Sequence, residues 1–510
     1  MTDSALSRPL VEIPDQHTVI RPQNYIDGQR RPATDGAVFA TTNPYTGQTW
    51  AWLPDSGEDD VDAAVRAARR AFDNGPWKTT TAVERARLLF RLADLMEEYA
   101  DDLALIETMD NGKLLREVRP QVKAIPQWYR FFAGAADKLY GDTLPTDNTD
   151  YMIYTRREPV GVVASIVGWN SALLQLAFKL APALAVGCTL VAKPPEQASV
   201  STLEFANLVE AAGFPPGVFN VVTGTGERTG RSLVRHPGID KVAFTGSAAT
   251  GSAVMRDAAD RHTRVSLELG GKSPNIVFDD ADLEAATNGV VAGIFAATGQ
   301  TCVAGSRLFV QRSIHDRFVQ RIVDRAKTIK LGDPFAADTE MGPVAYQEQY
   351  DKVLEYIALG LADGATLLCG GGPPEQAISD GYFVEPTVFT NVANTMRIAR
   401  EEIFGPVLSV IAFDDESEAI AQANDSDYGL SAGVWTNDIR RGHRVAHALR
   451  AGTVWVNGFR SVSVNAPFGG YKSSGMGREN GMAVLEQYTE IKSVWIEMTG
   501  TTRDPFRMYW

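Results

Sequence analysis

Two residues stand apart by type and setting. Cys302 lies in the loop GQTCVAGSR after a helical stretch, among small residues that leave its sulfur accessible, and an accessible thiol is the reactive kind. Cys188 in AVGCTLV and Cys369 in TLLCGG sit in apolar runs, as inert core cysteines do. Glu268 lies in VSLELGGKSP, where alternation turns Val265, Leu267 and Leu269 one way and Ser266 and Glu268 the other, just before Gly270 and Gly271. By itself such a glutamate is most often a solvated charge, and Asn170 in IVGWNSALL is by default a turn or cap residue. Lys193 and Glu196 follow a strand in AKPPEQ, at the carboxyl edge where open α/β sheets bind ligands. A carboxylate there accepts both hydroxyls of an adenosine ribose and repels a 2'-phosphate; the plain alternative is a charge pair in a proline-rich turn. Glycines punctuate two strand-to-helix turns. GTGERTG has the spacing GxGxxxG rather than GxGxxG and reads most simply as a turn, whereas FTGSAATG puts glycines and Ser247 at a helix N-terminus that favours phosphate.

The elements that must position these residues follow from periodicity. Amphipathic helices are predicted over 61–72 and 82–108. From residue 160 onward short β-branched runs (VGVVASIVG, TLVAKP, VFNVVTG, KVAFTG) alternate with helices, the pattern of a parallel sheet covered on both faces. A second α/β series begins after Gly271: NIVFDD, RLFVQ, ATLLCGG, PVLSVIAFD, SAGVWTN and TVWVNG, with helices from Asp282 and over 313–329. Two alternating segments, 151–158 and 491–498, belong to neither series and need partners, which points to a subunit contact.

The chain has 510 residues, several domain-sized units at roughly 150 residues each. Its net charge of −14, from 49 Lys+Arg against 63 Asp+Glu, repels phosphate backbones and anionic membranes, so neither nucleic acid nor membrane is an expected partner. Three scattered cysteines support neither a disulfide framework nor a zinc cluster, so no metal and a reducing compartment are expected. The first residues carry neither a secretory nor a transit pattern, and the expected location is cytoplasmic.

The strings VGWN, KPPEQ, FTGS, LELGGKSPN, GQTC, EEIFGPVL and PFGGYKSSG, in this order over roughly 24–496, closely resemble the aldehyde dehydrogenase superfamily. The resemblance implies an α/β architecture: an NAD-binding domain over 8–140 and 160–270, a catalytic domain over 271–480, and an oligomerisation arm over 141–159 and 485–510 that builds a homodimer or homotetramer. It implies NAD as cofactor, with NADP disfavoured by Glu196. Matched position by position, Cys302 is the nucleophile, Glu268 the general base, Asn170 the oxyanion donor, and Lys179 a proton-relay lysine. Lys193 and Glu196 match the adenosine-ribose contacts, Gly246 and Ser247 the pyrophosphate turn, and Glu402 with Phe404 the nicotinamide-ribose clamp. Ile166, Trp169, Gly226, Leu269, Gln349 and Lys352 fall at further cofactor positions. The substrate tunnel is matched to Ser171, Leu174, Gln175, Phe178, Ala296, Thr301, Val303, Arg460, Ser461, Val462 and Phe468. Ser171, Gln175 and Ala296 are small or polar where the family is often large and apolar, so a wide, wet tunnel is expected. Gly168 stands where the family often has proline, which is expected to loosen that loop. The implied reaction is oxidation of an aldehyde to the acid through a cysteine thiohemiacetal and a thioester opened by Glu268-activated water. Two alternatives stand: a CoA-acylating semialdehyde dehydrogenase, disfavoured by Glu268, and a homologue that keeps the fold without turnover.

Overall fold

The computed structural model describes residues 18–501 without interruption, together with Leu6, residues 10–12, Asp15, Asp504 and Phe506. The expected domain limits at residues 8 and 510 lie outside the described residues.

The first series of β-branched runs forms an eight-stranded sheet. Its order is Gln29–Arg31, Asn24–Ile26, Phe219–Val221, Thr189–Lys193, Val162–Ile166, Lys241–Thr245, Arg264–Glu268 and Gly475–Met476. The five middle strands are parallel and the outer pairings antiparallel. Alternate residues feed two separate cores: Val163, Leu190, Phe219 and Ala243 on one face, Val162, Val191, Val242 and Phe244 on the other. Burial on both faces explains why these strands read as continuous apolar runs.

The second series forms a seven-stranded sheet, Thr366–Cys369, Thr387–Thr390, Val407–Phe413, Arg307–Gln311, Pro274–Val277, Ser431–Trp435 and Thr453–Val456. All its neighbours are parallel except the first pair. Phe309 and Ile276 enter one core, Leu308 and Val277 the other. This is the two-sheet α/β class expected. Thr387–Thr390 lies outside the predicted runs, and so do the short antiparallel edges of the first sheet.

The helix predicted over 61–72 spans Glu58–Asp73. The single helix predicted over 82–108 is two, Ala82–Glu98 and Ala100–Asn111, because Tyr99 leaves helical geometry at φ −101° and ψ 18°. The first of them opens on a capping box, with Glu84 N–H on Thr81 Oγ1 at 3.3 Å and Thr81 N–H on Glu84 Oε2 at 2.7 Å. The two orphan segments pair with each other: Tyr151–Pro159 runs antiparallel to Thr489–Glu497, with Ile491 opposite Arg157, and Thr143–Leu144 adds a third strand. Among the described residues no helix is long and apolar enough to cross a membrane.

Candidate active site

Strand Arg264–Glu268 ends the parallel part of the first sheet, and only Leu269 to Ser273 separate it from Pro274–Val277 in the second. The site lies in this narrow passage. Strand Gly475–Met476 pins its entrance, with Glu268 opposite Gly475 and Leu269 N–H on Ser474 O at 2.9 Å. The double glycine has a steric cause. A Cβ on Gly270 would sit 2.1 Å from Glu402 Oε2, and one on Gly271 would sit 2.6 Å from the Cys302 carbonyl. Side chains at either position would push apart the three segments that carry Glu268, Glu402 and Cys302.

Cys302 follows helix Leu283–Ile294 and a tight turn in which Ala297 and Thr298 hold left-handed φ of 52° and 57°. Such a conformation is costly for residues with a Cβ and persists only where neighbours impose it. Here they do: Thr298 Oγ1 donates to Gly342 O at 3.0 Å, Ala297 N–H reaches Glu117 Oε2 at 3.2 Å, and Ala345 N–H reaches Gln300 Oε1 at 2.9 Å. Cys302 is partly exposed, whereas Cys188 and Cys369 are buried, the contrast expected. Burial, then the carboxylates of Glu402 and Glu268, push the Cys302 thiol up to about 12.

Glu268 is buried, and its Oε2 has no hydrogen-bond partner among the described residues. Burial and the charge of Glu479 hold its carboxyl well above the ordinary range, against the opposing pull of Lys179 and Arg478. It is not a solvated surface charge. Lys179 is wholly buried, donates to Thr245 Oγ1 at 2.6 Å and pairs with Glu479. Asn170 Nδ2 donates to the Gln300 carbonyl at 2.9 Å, beside the Cys302 loop. The loop before it is not loosened by Gly168, whose N–H is tied to Gln175 Oε1 at 2.7 Å.

Cys302, Glu268 and Asn170 share a cavity of about 470 Å³. Ser171, Leu174, Gln175, Phe178, Ala296, Thr301, Val303, Arg460, Val462 and Phe468 line it; Ser461 does not, and its carbonyl instead accepts from Trp455 Nε1 at 3.0 Å. Glu479, which the sequence reading passed over, also faces it, and so do three further polar residues it passed over: Lys113, Glu117 and Gln121. These three sit where helix Ala100–Asn111 ends and Leu115–Ala124 begins, and no local pattern links them to Cys302. Lys113 donates to Gln121 Oε1 at 2.7 Å and to Ser171 Oγ at 3.1 Å. Arg460, at φ 65°, turns Nη1 to the carbonyls of Ala292 at 2.8 Å and Ala296 at 3.3 Å.

A second groove, of about 610 Å³, opens along the carboxyl edge of the first sheet between Gly226 and helix Ala248–Ala259. Ile166, Lys193 and Gly226 line it, and Val234, Phe244 and Val254 supply apolar walls that suit a flat base. Lys193 is only 3% exposed and meets Glu196 Oε2 at 3.3 Å, while the other Glu196 oxygen accepts the Gly226 N–H. This is a fixed carboxylate at a groove rather than a free surface pair. Ser247 caps helix Ala248–Ala259 by accepting Thr250 N–H at 3.2 Å, and Gly246 N–H is held by Glu268 O at 3.1 Å. Leu269 packs over Gly251, where an added Cβ would meet it at 2.5 Å. Toward Cys302, Glu402 Oε1 accepts Gly271 N–H at 3.0 Å. Gln349 Nε2 donates to the carbonyls of Ile403 at 2.8 Å and Phe404 at 3.0 Å, holding Phe404 at φ 60°. The Trp169 ring stands edge-on to Phe404 and to Tyr346, the latter a contact absent from the sequence reading. Burial lowers the Lys352 ammonium, opposed by Glu402. An apolar slot, a fixed carboxylate, a helix N-terminus and a second carboxylate whose charge acts on the thiol are chemical groups that fit a nicotinamide dinucleotide.

Comparisons with known proteins give one family. Residues 31–494 match the aldehyde dehydrogenase family. The chain is 46% identical to hydroxyisobutyraldehyde dehydrogenase of Mycolicibacterium austroafricanum, over 97% of each chain. It is also 46% identical to human retinal dehydrogenase 2, over 93% of this chain and 91% of that one. An NAD+ complex of aldehyde dehydrogenase from Bacillus cereus superposes with a TM-score of 0.92 at 48% identity, covering 94% of this chain and 97% of that one. Betaine aldehyde dehydrogenase from Staphylococcus aureus, in complex with NAD+, gives 0.94 at 42% identity, covering 96% and 99%. With nearly its whole length matched in sequence and in structure, the chain belongs to the aldehyde dehydrogenase family.

Proposed function

We propose that this NAD-dependent aldehyde dehydrogenase releases a free carboxylic acid and takes aldehydes with a polar or anionic tail. The observation that carries the reaction is the meeting of Cys302, Glu268 and Asn170 in one cavity, with the Glu402 carboxylate held at Gly271 N–H nearby. Cys302 releases its thiol proton to solvent through the cavity, and the thiolate so formed adds to the aldehyde carbon. The oxyanion so formed accepts from Asn170 Nδ2, a donor worth roughly 3 kcal/mol where such sites have been dissected. The dinucleotide, when bound, supplies the hydride acceptor. Glu268 then takes a proton from water as the oxygen adds to the thioester carbon and the carbon–sulfur bond breaks, which returns the Cys302 thiolate. Lys179 and Glu479 lie within electrostatic reach of Glu268 and form the path by which that proton leaves. Formation of NADH and of the acid from a panel of aldehydes tests the reading, and an acyl-CoA product formed only with added CoA would replace it.

Cofactor choice rests on Glu196. Its oxygens are committed to Lys193 and the Gly226 N–H, so the carboxylate cannot swing away from a 2'-phosphate. Glu196→Ser is expected to raise the ratio of kcat/KM for NADP+ over NAD+ by roughly tenfold or more, since it removes a like charge from a partly buried site. An unchanged ratio from steady-state NADPH and NADH assays excludes Glu196 as the selector.

The tail preference rests on charge. Lys113 is 7% exposed, and burial lowers both its ammonium and the Arg460 guanidinium. Glu107 and Glu117 are the anions set against Lys113, and Glu117 is set against Arg460 as well, with both its oxygens facing the Ala297 N–H. Lys113 and Arg460 are the cations on that wall, and a carboxylate on the substrate would give them a further anionic partner. For matched neutral and carboxylated aldehydes of equal length, Arg460→Ala is expected to lower kcat/KM at least tenfold more for the carboxylated member. Equal losses remove Arg460 from tail recognition, and short alkanals as the best substrates overturn the polar tunnel.

We further infer a homodimer or homotetramer built on strands Tyr151–Pro159 and Thr489–Glu497. In support, Ile491 and Trp495 on the second strand are 63% and 58% exposed, an apolar edge that a second copy would cover. Three free cysteines suit a reducing cytoplasm.

A further inference from the structure

Gly168 and Gln175 meet across the turn that enters helix Ala172–Val186. Gly168 N–H donates to Gln175 Oε1 at 2.7 Å, and Gln175 Nε2 donates to Asn170 Oδ1 at 2.7 Å. The direction of this chain is not free. A backbone N–H only donates, so it draws the oxygen of the Gln175 amide to itself and leaves the NH2 facing Asn170. Asn170 must then accept on Oδ1, and its Nδ2 is turned away. The same orientation is imposed from the opposite side. The Gln300 carbonyl, two positions before Cys302, only accepts, and it faces Asn170 Nδ2 at 2.9 Å. A flipped Asn170 would set NH2 against NH2 on one side and oxygen against oxygen on the other, leaving buried polar groups unpaired. Gln175 is 8% exposed, so water does not readily stand in for either bond. The origin of the chain is a donor that a proline at position 168 would lack.

We propose that Gly168 and Gln175 form a clasp that fixes the Asn170 amide with Nδ2 toward the reacting carbonyl oxygen. Gln175 is thereby a positioning residue, not merely a polar spot on the tunnel wall. This rests on the reading of Asn170 as the oxyanion donor. Without Gln175 the Asn170 Oδ1 loses its donor and only the Gln300 carbonyl still orients the amide, so orientations that present oxygen to the developing negative charge become accessible. A side chain of similar length without the amide keeps the packing and loses the direction.

The test is a cycle of Gln175→Met, Asn170→Ala and the double variant, read as the single-turnover rate of NADH formation, with the KM for NAD+ and the Tm as controls. Gln175→Met is expected to slow that rate on the order of tenfold, less than outright loss of an oxyanion donor, with the KM for NAD+ and the Tm little changed. In the Asn170→Ala background the same substitution is expected to change the rate less than twofold, because its effect passes through Asn170. A rate within twofold of wild type for Gln175→Met, or an equal loss with and without Asn170, overturns the clasp. If Gln175→Met fails to fold, Gln175→Glu serves. Its ionised carboxylate accepts from Gly168 N–H but cannot donate to Asn170, so a slow turnover is expected and a wild-type rate is the overturning result. Should Asn170→Ala itself react at the wild-type rate, the oxyanion reading falls; a slow Asn170→Ala beside a fast Gln175→Met removes the clasp alone.

Discussion

With Cys302 replaced by alanine, NADH formation is expected to fall by roughly four orders of magnitude or more, as when a covalent nucleophile is removed from other enzymes. The loss is confined to chemistry. Glu196 and Lys193 hold each other and Gly226, and Glu402 is held by Gly271 N–H, so no bond of the nucleotide groove passes through the sulfur. The turn that presents the loop is fixed by Thr298, Ala297 and Gln300. The dissociation constant for NAD+, from quenching of protein fluorescence, is therefore expected to stay within about threefold and the Tm within a few degrees, the usual range for a small truncation away from the core. A variant that keeps a tenth of wild-type turnover shows that another group attacks the aldehyde. Loss of NAD+ binding together with turnover would instead mean that the Cys302 loop is part of the cofactor site.

What could be read from the chain follows the range of the interactions. The two sheets were legible because their strands are short β-branched runs buried on both faces, such as Val162–Ile166 and Thr189–Lys193, and their composition announces them. The break at Tyr99 was hidden because the segment MEEYADD carries no glycine or proline to announce it. Thr387–Thr390 and Gly475–Met476 are too brief to carry a period, and their partners lie at a distance: Gly475 answers Glu268. The candidate site divides in the same way. Cys302, Glu268 and Glu196 stand out by chemical type and motif. Glu117, by contrast, is tied to the Cys302 turn through Ala297, 180 positions along the chain, and Lys113 reaches Ser171 across 58. No local window holds both ends of such contacts. Gln175 is the intermediate case, only five positions from Asn170, yet polarity alone suggested a wet wall, and only the direction of its two hydrogen bonds shows that the amide is already committed.

Glu268→Gln separates the two halves of the reaction. The substitution keeps size and leaves Cys302, Asn170 and the nucleotide groove in place, but an amide cannot take a proton from water. The first turnover is expected to release close to one NADH per site at a rate within about tenfold of wild type, followed by a steady state slower by roughly 10²–10⁴-fold, the span typical of general-base catalysis. Removing the carboxylate also takes away one of the charges that push the Cys302 thiol up, so acylation is not expected to suffer from a scarcer thiolate. The pH dependence has a definite sign. Burial and Glu479 raise the Glu268 carboxyl, so at low pH it is protonated and idle, and wild-type deacylation is expected to climb as pH rises through that raised value. In Glu268→Gln the climb has no group to follow, and the slow steady state is expected to show only the shallow dependence of uncatalysed thioester hydrolysis. Rapid mixing at several pH values gives both observations. First and later turnovers that are equally slow would place Glu268 in activation of the thiol rather than of water. A burst followed by a steady state that still climbs with pH as in wild type would assign the hydrolytic base to another residue, and Glu479 is the buried carboxylate already coupled to the site through Lys179.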